Sequence, residues 1–569
     1  MIKEPISMNY PLFSIYYEND GFNIKGDKLM GRQAAGWSFL KSIISSKRYK
    51  RLGIYIRDAS QQELLRSDIK SLLKNKNNTI EIESIPYDKP FLSENYGGIQ
   101  LPGPALKEYS KHRSFFGHHK YSLVGLTHTT ASHSVMSAFS SICTEAIMPW
   151  DSIICTSESV LNTLNKIVDD RNEFLSFTYK KKINFKPKFP VIPLGINYEE
   201  FNYDDKFKKV SRDKLNISEE DIVVVFVGRL SFHAKAHNLP MYIALENCAK
   251  KLKKNQKIHL IQTGWFANSF IEKTFKSEAK NVCPSVNCIF LDGRIQENKN
   301  VTLASGDIFM SLSDNIQETF GLTPLEGMAS GLPVIVSDWN GYRSTVRNNL
   351  DGFTVKSLSL PGGYGEGLAF DYMMHNITYD KYIGSTVQKT ALDVKDCINK
   401  LDILLFDNVK RLKMGENAKK RARDVFSWDK ILLQYEDLYK ELNEIRLTEY
   451  LNYKQFCLPR LPSDKLDPFY IFDDYPTEII SNKISFRLSS DIHDLSIQEI
   501  IDFDSVNYSK DILPSIEMFD LILSSFSQNK FYNINDLMKV TKLREYDIYL
   551  VIVFLIKYGF ITTVGNKYE

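Results

Sequence analysis

Two carboxylates, Glu318 and Glu326, stand with seven residues between them in the segment 311–341, SLSDNIQETFGLTPLEGMASGLPVIVSDWNG. This segment reads as the end of a strand, a loop, a short helix from Pro324 to Ser330, and the next strand. In open α/β sheets ligands bind at the carboxyl edge of the strands. We therefore expect Glu318 to face the hydroxyl groups of a ligand and Glu326 to lie in the first turn of the helix.

The start of this short helix has the features of an anion-binding turn. Pro324 fits the first helical turn, where its missing N–H costs nothing, and Gly331 fits the position just past the helix end. Gly321 allows a ligand to approach the backbone closely. Because N–H groups at a helix N-terminus attract phosphate, the sequence predicts an anion at this end.

Two cations follow an apolar strand earlier in the chain. The run Ile222–Val227 ends in Gly228 and Arg229, and Lys235 comes six residues after the arginine. Two fixed cations beside a helix N-terminus can form a diphosphate clamp that needs no metal. The alternative is that both are solvated surface charges, and the carboxylate pair on the same predicted fold argues against it.

Histidines are the other candidates for chemistry. His128 follows the apolar run Leu123–Leu126, so it leaves the carboxyl end of a predicted strand; a hydrogen-bonded structural histidine is the alternative. We expect His133 to be structural. His233 and His237 have the spacing of a zinc pair on a helix, but no third ligand stands nearby and Lys235 lies between them.

Strands and helices alternate through most of the chain, which is typical of βαβ units with parallel sheets. The alternation restarts after a polar stretch at 203–220, which predicts two Rossmann-like domains facing a cleft. The predicted strands are Leu52–Ile56, Leu123–Leu126, Ser152–Cys155, Val191–Pro193, Ile222–Val227, Ile258–Thr263, Asn287–Leu291, Asp307–Leu312 and Pro333–Ser337.

The pattern changes after about residue 405. Ala418–Val425 and Trp428–Leu442 read as helices, the second with an apolar stripe at helical spacing. Five prolines and weak periodicity predict an irregular linker over 448–515. Residues 516–569 read as three helices and a short strand, similar to a winged helix. The third helix lacks a basic surface, so we expect protein docking or dimerisation there rather than nucleic-acid binding.

Composition limits the class of protein. The 569 residues are 43% apolar and 25% charged, an ordinary globular mixture. The net charge of +3 gives no field that would draw the chain onto nucleic acid. No run approaches the roughly 20 apolar residues of a membrane span, and the first residues lack a signal pattern. Seven scattered cysteines are typical of reduced thiols, so we expect a cytoplasmic protein.

Several segments of the sequence together resemble a known family. The carboxylate block resembles the E-x7-E motif of retaining GT-B glycosyltransferases, and of glycosyltransferase family 4 (glycosyl transferases group 1) in particular. The segments VIPLGIN, FVGRLSFHAKAHNLP, IFLDGR, QETFGLTPLEGMASGLPVIVSDWNGYRSTV and DGF stand in the order of the family. The similarity is strong over about residues 190–440, weaker at LTHTTASHS and DSIICTSE, and absent after about 450.

The resemblance implies roles for particular residues. Glu318 would hold the hydroxyls of the donor sugar, Glu326 the nucleotide ribose, and Arg229 with Lys235 the diphosphate. His128 would contact the sugar from the N-terminal domain. Ala236 departs from the glycine that the family commonly has after the lysine. The remaining donor-binding candidates are Phe320, Gly321, Leu322 and Thr323 at the helix start, and Gly293, Arg294 and Ile295 beside the base.

A glycine-containing segment near the N-terminus, GDKLMGRQAAG from Gly26 to Gly36, precedes a helical stretch at Trp37–Ser45. It resembles the loop of this superfamily that faces the donor phosphates and the acceptor, with Gly31 and Arg32 as candidate contacts. An ordinary turn is the alternative.

The resemblance thus implies an α/β GT-B fold with a small C-terminal, mainly helical module. The expected domains are 1–202 on the acceptor side, 203–425 for the nucleotide sugar, a helix at 426–447 crossing back, the linker 448–515, and the module 516–569.

The expected activity is retaining, metal-independent transfer of a hexosyl group from a nucleotide diphosphate sugar to a hydroxyl acceptor, in bacterial surface polysaccharide or glycolipid assembly. The acceptor would be a glycan, a lipid-linked molecule or a protein; no cofactor or metal is expected. The basic clusters Lys47–Arg51, Lys180–Lys182 and Lys250–Lys254 allow peripheral contact with the inner membrane face. The alternatives are a GT-B phosphorylase, a sugar-nucleotide epimerase, and a non-catalytic scaffold or sensor.

Overall fold

A computed structural model gives the fold of the chain, which divides into two compact units, Met1–Pro462 and Ser463–Glu569. The first unit carries both parallel sheets. The residues that the structure describes are 12–24, 31–73, 80–253, 255–454, 458–489, 493–527 and 530–564.

The first Rossmann-like domain is a six-stranded parallel sheet with the spatial order β3-β2-β1-β4-β5-β6, the order of dinucleotide-binding folds. Its strands are β1 (Ser14–Tyr17), β2 (Arg51–Ile56), β3 (Glu81–Pro86), β4 (Gly98–Gln100), β5 (Ser122–Leu126) and β6 (Ser152–Ile154). Its helices are α1 (Asn19–Phe22), α2 (Gly31–Ser45), α3 (Ala59–Leu73), α4 (Lys107–Phe116), α5 (His133–Ser141) and α6 (Glu158–Tyr179).

The second Rossmann-like domain repeats the same topology, with the order β12-β11-β10-β7-β8-β9. Its strands are β7 (Ile222–Val227), β8 (Ile258–Gly264), β9 (Asn287–Asp292), β10 (Ile308–Ser311), β11 (Val334–Ser337) and β12 (Gly352–Val355). Its helices are α7 (Asp205–Lys214), α8 (Asn238–Ala249), α9 (Ser269–Val282), α10 (Gln296–Ser305), α11 (Leu322–Ala329) and α12 (Tyr342–Thr345), followed after an excursion by α15 (Val394–Phe406) and α16 (Asn408–Phe426).

The central strand β7 is buried on both faces of the second sheet. Its sequence is apolar throughout and every residue is buried, as is typical of a parallel sheet between two helical layers. Ile222 and Val224 pack into one hydrophobic cluster, whereas Val223 and Val225 pack into another on the opposite face. The alternation of side chains along a strand thus divides one apolar run between two cores.

Most predicted strands are present within one or two residues. Val191–Pro193 is an exception, because it makes only an isolated bridge from Cys155 to Val191. Four strands of the two parallel sheets were not predicted from the sequence: β1, β3, β4 and β12. They are three to six residues long and contain polar or glycine positions, so their local pattern carries little signal.

The segment between β12 and α15 forms additional strands and helices that were also not predicted. Its strands β13 (Ser357–Ser359) and β14 (Thr390–Leu392) pair antiparallel, and between them lie α13 (Glu366–Met373) and α14 (Tyr379–Val387). Helix α13 has no buried residue.

The long helix α17 (Trp428–Tyr453) returns to the first domain. Its stripe packs into the core of that domain: the ring centroids of Phe13 and Tyr439 are 4.1 Å apart, and the indole N–H of Trp428 donates to Ser38 Oγ at 2.7 Å. The predicted helical stripe is therefore core, and the helix extends eleven residues past the predicted Leu442.

The second unit has its own hydrophobic core, which includes residues from within 448–515. The prediction of an irregular linker over this range is therefore wrong in part, because Ile484, Phe486 and Ile497 are buried in that core. The elements of the unit are α18 (Pro468–Ile471), β15 (Ser485–Leu488), α19 (Ile497–Asp502), α20 (Asp504–Asn507), α21 (Ile516–Ser525), α22 (Ile534–Thr541), α23 (Glu545–Lys557) and β16 (Ile561–Val564), with β15 and β16 antiparallel.

Across the described parts of both units, no helix combines the length and the apolar character that crossing a bilayer requires.

The boundary at Pro462 can be tested with two fragments. The 1–462 fragment keeps the end of α17, where Tyr453 packs on Trp150 and Arg446 donates to two backbone carbonyls at 2.9 Å. We expect it to melt within about 2 °C of the first transition of the full chain. The 1–444 fragment exposes this apolar contact and should melt roughly 5–10 °C lower. Calorimetry of both fragments checks this, and equal melting temperatures would contradict it.

Candidate active site

A cavity of about 480 Å³ lies between the two Rossmann-like domains, at the carboxyl ends of their strands. Its lining comes from both domains and includes the topological switch point between β7 and β10, where ligands bind in such sheets. The lining includes Arg32, His128, Gly228, Arg229, Lys235, Gly264, Gly293, Lys299, Glu318, Thr319, Phe320, Gly321, Leu322, Thr323 and Glu326.

A second hollow of about 580 Å³ lies between α3 and β3. Its lining includes Arg66, Lys70 and Ser84 among apolar side chains, with no carboxylate, histidine or cysteine. The cavity between the domains is therefore the candidate active site.

Three glycines form the floor of the site because adjacent strand ends approach closely there. A Cβ on Gly264 would lie 1.9 Å from the carbonyl oxygen of Gly228, and one on Gly293 would lie 2.8 Å from the Cα of Gly264. The N–H of Gly293 donates to the carbonyl of Gly264 at 2.9 Å. Side chains are excluded at these positions, and a ligand can lie directly against the backbone.

The N-terminus of α11 opens into the cavity. Gly321 precedes the helix with φ at +98°, and a Cβ there would lie 2.3 Å from the ring of Tyr342. The helix begins at Leu322 rather than at the predicted Pro324, so Glu326 lies in its second turn and not in the first. The N–H groups of the first turn have no partner within the helix, so an anion at this end stays a prediction.

Lys235 and Glu318 form an ion pair inside the cavity. The hydroxyl of Tyr342 also donates to Glu318 at 3.4 Å. Burial disfavours the charged form of Lys235, but the Glu318 carboxylate outweighs this and raises the pKa of the lysine. Lys235 is therefore a cation at neutral pH, and an ammonium group has further N–H donors for a ligand.

The loop that carries the cations is fixed by the strand ends beside it. Arg229 donates to the carbonyl of Ala234 at 2.9 Å, and Ser313 donates to the carbonyl of Lys235 at 2.8 Å. The N–H groups of Lys235 and Ala236 both bond the carbonyl of Ser231, so the turn closes with alanine at this position. Burial lowers the pKa of Arg229, whose guanidinium nevertheless stays charged near neutral pH.

Glu326 is paired with Lys299 of α10, whose ammonium donates to Glu326 Oε1 at 2.6 Å. The other carboxylate oxygen, Oε2, is buried and has no hydrogen-bond partner, and the same holds for the hydroxyl of Thr323 one turn earlier. Buried polar atoms without partners are rare in folded proteins. Both atoms belong to residues that line the cavity.

The first domain contributes His128, which follows β5 as predicted. The hydroxyl of Thr319 donates to the backbone carbonyl of His128 and so joins the two domains across the cavity. Burial, and to a smaller extent the charge of Arg32, lower the pKa of His128 to about 4. Its imidazole is therefore neutral at neutral pH and can donate or accept one hydrogen bond.

The cavity brings together nearly all the residues that the sequence singled out. Arg294 and Ile295 are not among its lining residues. The Arg294 guanidinium bonds the nearby Asp292 carboxylate at 2.8 Å, and the side chain of Ile295 is 52% exposed. The direction of the chain after Gly293 explains the difference, because α10 begins at Gln296 and leads away from the floor.

The N-terminal glycine segment differs from its prediction. Helix α2 begins at Gly31, so the stretch from Gly31 to Gly36 is helical rather than a loop. Gly31 and Arg32 line the cavity, and Arg32 forms an ion pair with Asp20. Residues 26–30 of the segment lie outside the described residues.

Several cavity residues were missed at the sequence level, namely Lys299, Trp265, Gln317 and Thr319. Thr319 and Gln317 stand beside Glu318, so the block itself was a signal for them. Lys299 stands in the polar segment QENKN, which resembles any solvated helix face.

No group of three or more His, Cys, Asp or Glu side chains in the described residues is arranged to hold a metal ion. His237 caps α8 by accepting from Leu239 N–H at 3.4 Å, while His233 lies in the preceding turn, so the two do not share a helix face. The sulfurs of Cys283 and Cys288 are 3.6 Å apart, and both cysteines are free. An Asp-x-Asp triplet, a pattern that can hold a divalent cation, occurs at Asp502–Asp504 in the second unit and does not belong to the lining of the cavity.

Asp314, behind the cation loop, gives a pH-dependent prediction. Burial raises its pKa to about 7, although the N–H of His237 donates to its Oδ1 at 3.2 Å. Because the folded-state pKa exceeds the unfolded value of about 3.9, the contribution to stability is present at low pH and is lost as pH rises through about 7.

Asp314→Asn removes this titration and keeps an acceptor for His237. The quantity to measure is the melting temperature of the variant minus that of wild type. We expect this difference to be about 2–5 °C larger near pH 8.5 than near pH 5.5. The exposed Asp213→Asn serves as the control. A difference that does not change with pH would contradict the assignment.

Two Rossmann-like domains with the same strand order and a cavity between them define the GT-B architecture. Residues 207–359 match the family model described as glycosyl transferases group 1. This match covers most of the second Rossmann-like domain.

Curated relatives match part of the chain. They include the putative glycosyltransferase EpsD of Bacillus subtilis, 25% identical over 204 residues (35% of this chain and 49% of that protein). A D-inositol 3-phosphate glycosyltransferase of Corynebacterium efficiens is 25% identical over 238 residues (42% of this chain and 47% of that protein). The chain thus spans about half the length of these relatives.

Solved structures with a similar chain path include two of low sequence identity. HepE of Anabaena, in complex with UDP and glucose, has a TM-score of 0.47 and 15% identity, covering 75% of this chain and 100% of that one. A glycosyltransferase of Rickettsia africae has a TM-score of 0.49 and 15% identity, covering 76% and 99%.

Proposed function

We propose that the protein is a retaining glycosyltransferase that moves a hexosyl group from a nucleotide diphosphate sugar to a hydroxyl acceptor. The observation that carries the proposal is the convergence of Arg229, Lys235 and the N-terminus of α11 on one cavity, beside Glu318. Two cations and a helix N-terminus suit a diphosphate. A carboxylate next to them suits the hydroxyls of the attached sugar.

The donor would lie along the cavity in one direction. Its base and ribose would extend towards the glycine floor and Glu326, where the backbone is open to a flat ring. Its diphosphate would meet Arg229 and Lys235, and its sugar would lie between Glu318 and the neutral His128. We propose that His128 bonds a sugar hydroxyl and does not act as a cation, since its pKa is about 4.

The proposed chemistry is displacement on one face of the sugar. The bond between the anomeric carbon and the diphosphate oxygen breaks while the acceptor oxygen bonds the same face, and the acceptor proton passes to the leaving diphosphate. Arg229 and Lys235 stabilise the charge that develops on this leaving group. Preorganised positive charge makes a divalent metal unnecessary, so we propose a metal-independent reaction.

The acceptor is proposed only as a class: a glycan, a lipid-linked molecule or a protein of bacterial surface polysaccharide or glycolipid assembly. The second unit would serve docking or dimerisation, and nucleic acid is not expected. A cytoplasmic location is supported by the six described cysteines, all of which are free. Peripheral membrane contact receives little support, since Arg48, Lys250 and Lys251 pair with acidic side chains of the protein.

Two other functions of the same fold make different products. A phosphorylase would release sugar 1-phosphate from a glycan in the presence of phosphate. A sugar-nucleotide epimerase would return an epimerised nucleotide sugar without an acceptor. A non-catalytic scaffold would have no use for paired cations in a buried cavity, which favours an enzyme.

The test is the fate of UDP-, GDP- and ADP-sugars incubated with the full-length protein in EDTA and followed by chromatography and NMR. We expect release of the nucleoside diphosphate from one base class, with the free or transferred sugar initially in the anomeric configuration of the donor. Added manganese or magnesium should change the rate less than about twofold, since the clamp already supplies the charge. Activity that needs metal, or an inverted product, would contradict the proposal.

A further inference from the structure

The contact between Lys299 and Glu326 leads to an inference about how the site selects its ligand. We propose that Lys299 is a positioning residue for Glu326, the carboxylate that the resemblance assigns to the nucleotide ribose. By holding Oε1 of Glu326, Lys299 would fix Oε2 for a ribose hydroxyl at the 2′ or 3′ position and so set how strongly the site prefers ribose to deoxyribose. The inference rests on the proposed function, because it concerns the nucleotide portion of the proposed donor.

The carboxylate of Glu326 is held at one oxygen only. Lys299 donates to Oε1 at 2.6 Å, while Oε2 is buried without a partner. The whole residue is only 9% exposed, so bulk water does not satisfy this oxygen. A buried charged acceptor that lacks a donor is costly, and a hydroxyl group of a ligand in the cavity would supply that donor.

A second unpartnered atom lies on the same helix face. The hydroxyl of Thr323 is buried without a hydrogen bond, and Thr323 precedes Glu326 by three residues on α11. Residues three apart are neighbours on a helix surface. One acceptor-only oxygen and one hydroxyl, side by side, match a pair of adjacent hydroxyl groups better than they match a phosphate, which a carboxylate repels.

Lys299 itself is held in place from a second side. Its ammonium lies 5.4 Å from the centroid of the Phe201 ring, a cation–π distance, and its side chain is 20% exposed. Phe201 belongs to the connection between the two domains, which ends in a short 3-10 helix at Tyr198–Phe201. The lysine can therefore hold one rotamer of Glu326 before the ligand arrives, which reduces the entropy lost on binding.

The test compares binding of a ribonucleotide with its deoxy analogues by calorimetry, using the full chain. The probes are UDP, GDP and ADP, and for the one that binds most tightly its 2′-deoxy and 3′-deoxy forms. In wild type we expect at least one deoxy form to bind about tenfold to a hundredfold more weakly. In Lys299→Met we expect the affinity for the ribonucleotide to fall about tenfold, while the affinity for that deoxy form changes little. The preference for ribose is then lost.

Four further variants separate positioning from a general structural role. Lys299→Arg keeps the charge and should restore most of the ribose preference. Lys214→Met removes an exposed lysine that pairs with Glu297 of the same α10, and should bind as wild type does. Because Lys299 acts through Glu326, the double variant Lys299→Met with Glu326→Gln should show no lower ribose preference than Glu326→Gln alone.

The outcomes are distinguishable. If wild type binds none of the three nucleotides, both the proposed function and this inference fail. If wild type binds one nucleotide but treats its deoxy forms equally, this inference fails while the proposed function stands. Equal weakening of ribo and deoxy forms in Lys299→Met would also overturn the inference, because it would show general damage to the site. If Lys299→Met does not fold, the ribose preferences of wild type and Lys299→Arg decide the question.

Discussion

Replacing Lys235 or Arg229 by alanine is expected to lower kcat by on the order of 10²–10³, with a smaller effect on KM. Each side chain is a fixed cation that lines the cavity, at the place where the proposed reaction develops negative charge on the leaving diphosphate. Lys235 also pairs with Glu318, so its removal leaves that carboxylate without its counter-charge. Steady-state kinetics of donor turnover measures the effect.

Matched controls remove exposed cations of the same types. Lys276→Ala and Arg423→Ala each remove a side chain that is more than half exposed and pairs with a neighbouring acid. They should leave kcat within about twofold of wild type, as surface ion pairs contribute little. The far-ultraviolet spectra of all four variants should match wild type. Turnover near the wild-type rate in either clamp variant would remove the proposed role of that cation.

The second large effect is expected from Gly264→Ala. The added methyl group would stand 1.9 Å from the carbonyl oxygen of Gly228, a backbone atom that cannot turn aside as a flexible side chain would. The strand ends β7 and β8 must then separate, which should cost on the order of 3 kcal/mol of stability. Since misplacement by about 1 Å can cost 10²-fold, we expect kcat/KM to fall by about that factor.

Gly362→Ala is the control for this substitution. Nothing lies within 4 Å of the position that its Cβ would take, so stability and turnover should remain unchanged. Thermal unfolding and donor kinetics of both variants are compared with wild type. A Gly264→Ala protein with normal kinetics would show that the close approach of the strand ends does not shape the site.

The sequence allowed most of this architecture to be predicted because its strongest signals are local. The run of β7 is apolar at every position, so a strand covered on both faces was evident. Gly331 indicated the end of α11 correctly, and its φ of +82° confirms a left-handed residue there. The short strand β4 has three residues, including a glycine and a glutamine, and only its pairing with β1 and β5 makes it a strand.

The site could be predicted where its residues belong to one sequence motif. It could not be predicted where a contact joins residues from separate helices or domains. Glu318 and Glu326 belong to one sequence block. One turn and one helix are therefore enough to place both of them in the same cavity. The pairing of Glu326 with Lys299 joins residues from two helices and depends on the packing of α10 against the sheet. The tie from Thr319 to His128 joins two domains. Neither contact has a sequence spacing that could indicate it.

The prediction of a linker over 448–515 shows the limit of composition arguments. The prolines there indicated irregular structure, and much of the segment is indeed irregular. However, Ser485–Leu488 pairs with Ile561–Val564, about 75 residues further along the chain. A strand that finds its partner at such a distance leaves no short-range pattern.

The central claim is that the cavity binds a nucleotide diphosphate sugar through its paired cations. Thermal unfolding of the full chain with UDP-, GDP- and ADP-sugars tests it most directly, with Lys235→Ala beside wild type. At a ligand concentration of 100 times Kd, one base class should stabilise the first unit of wild type by about 2.7 kcal/mol. At the same concentration the variant should show little of this gain. No stabilisation of wild type by any of the three classes, or equal stabilisation of both proteins, would contradict the claim.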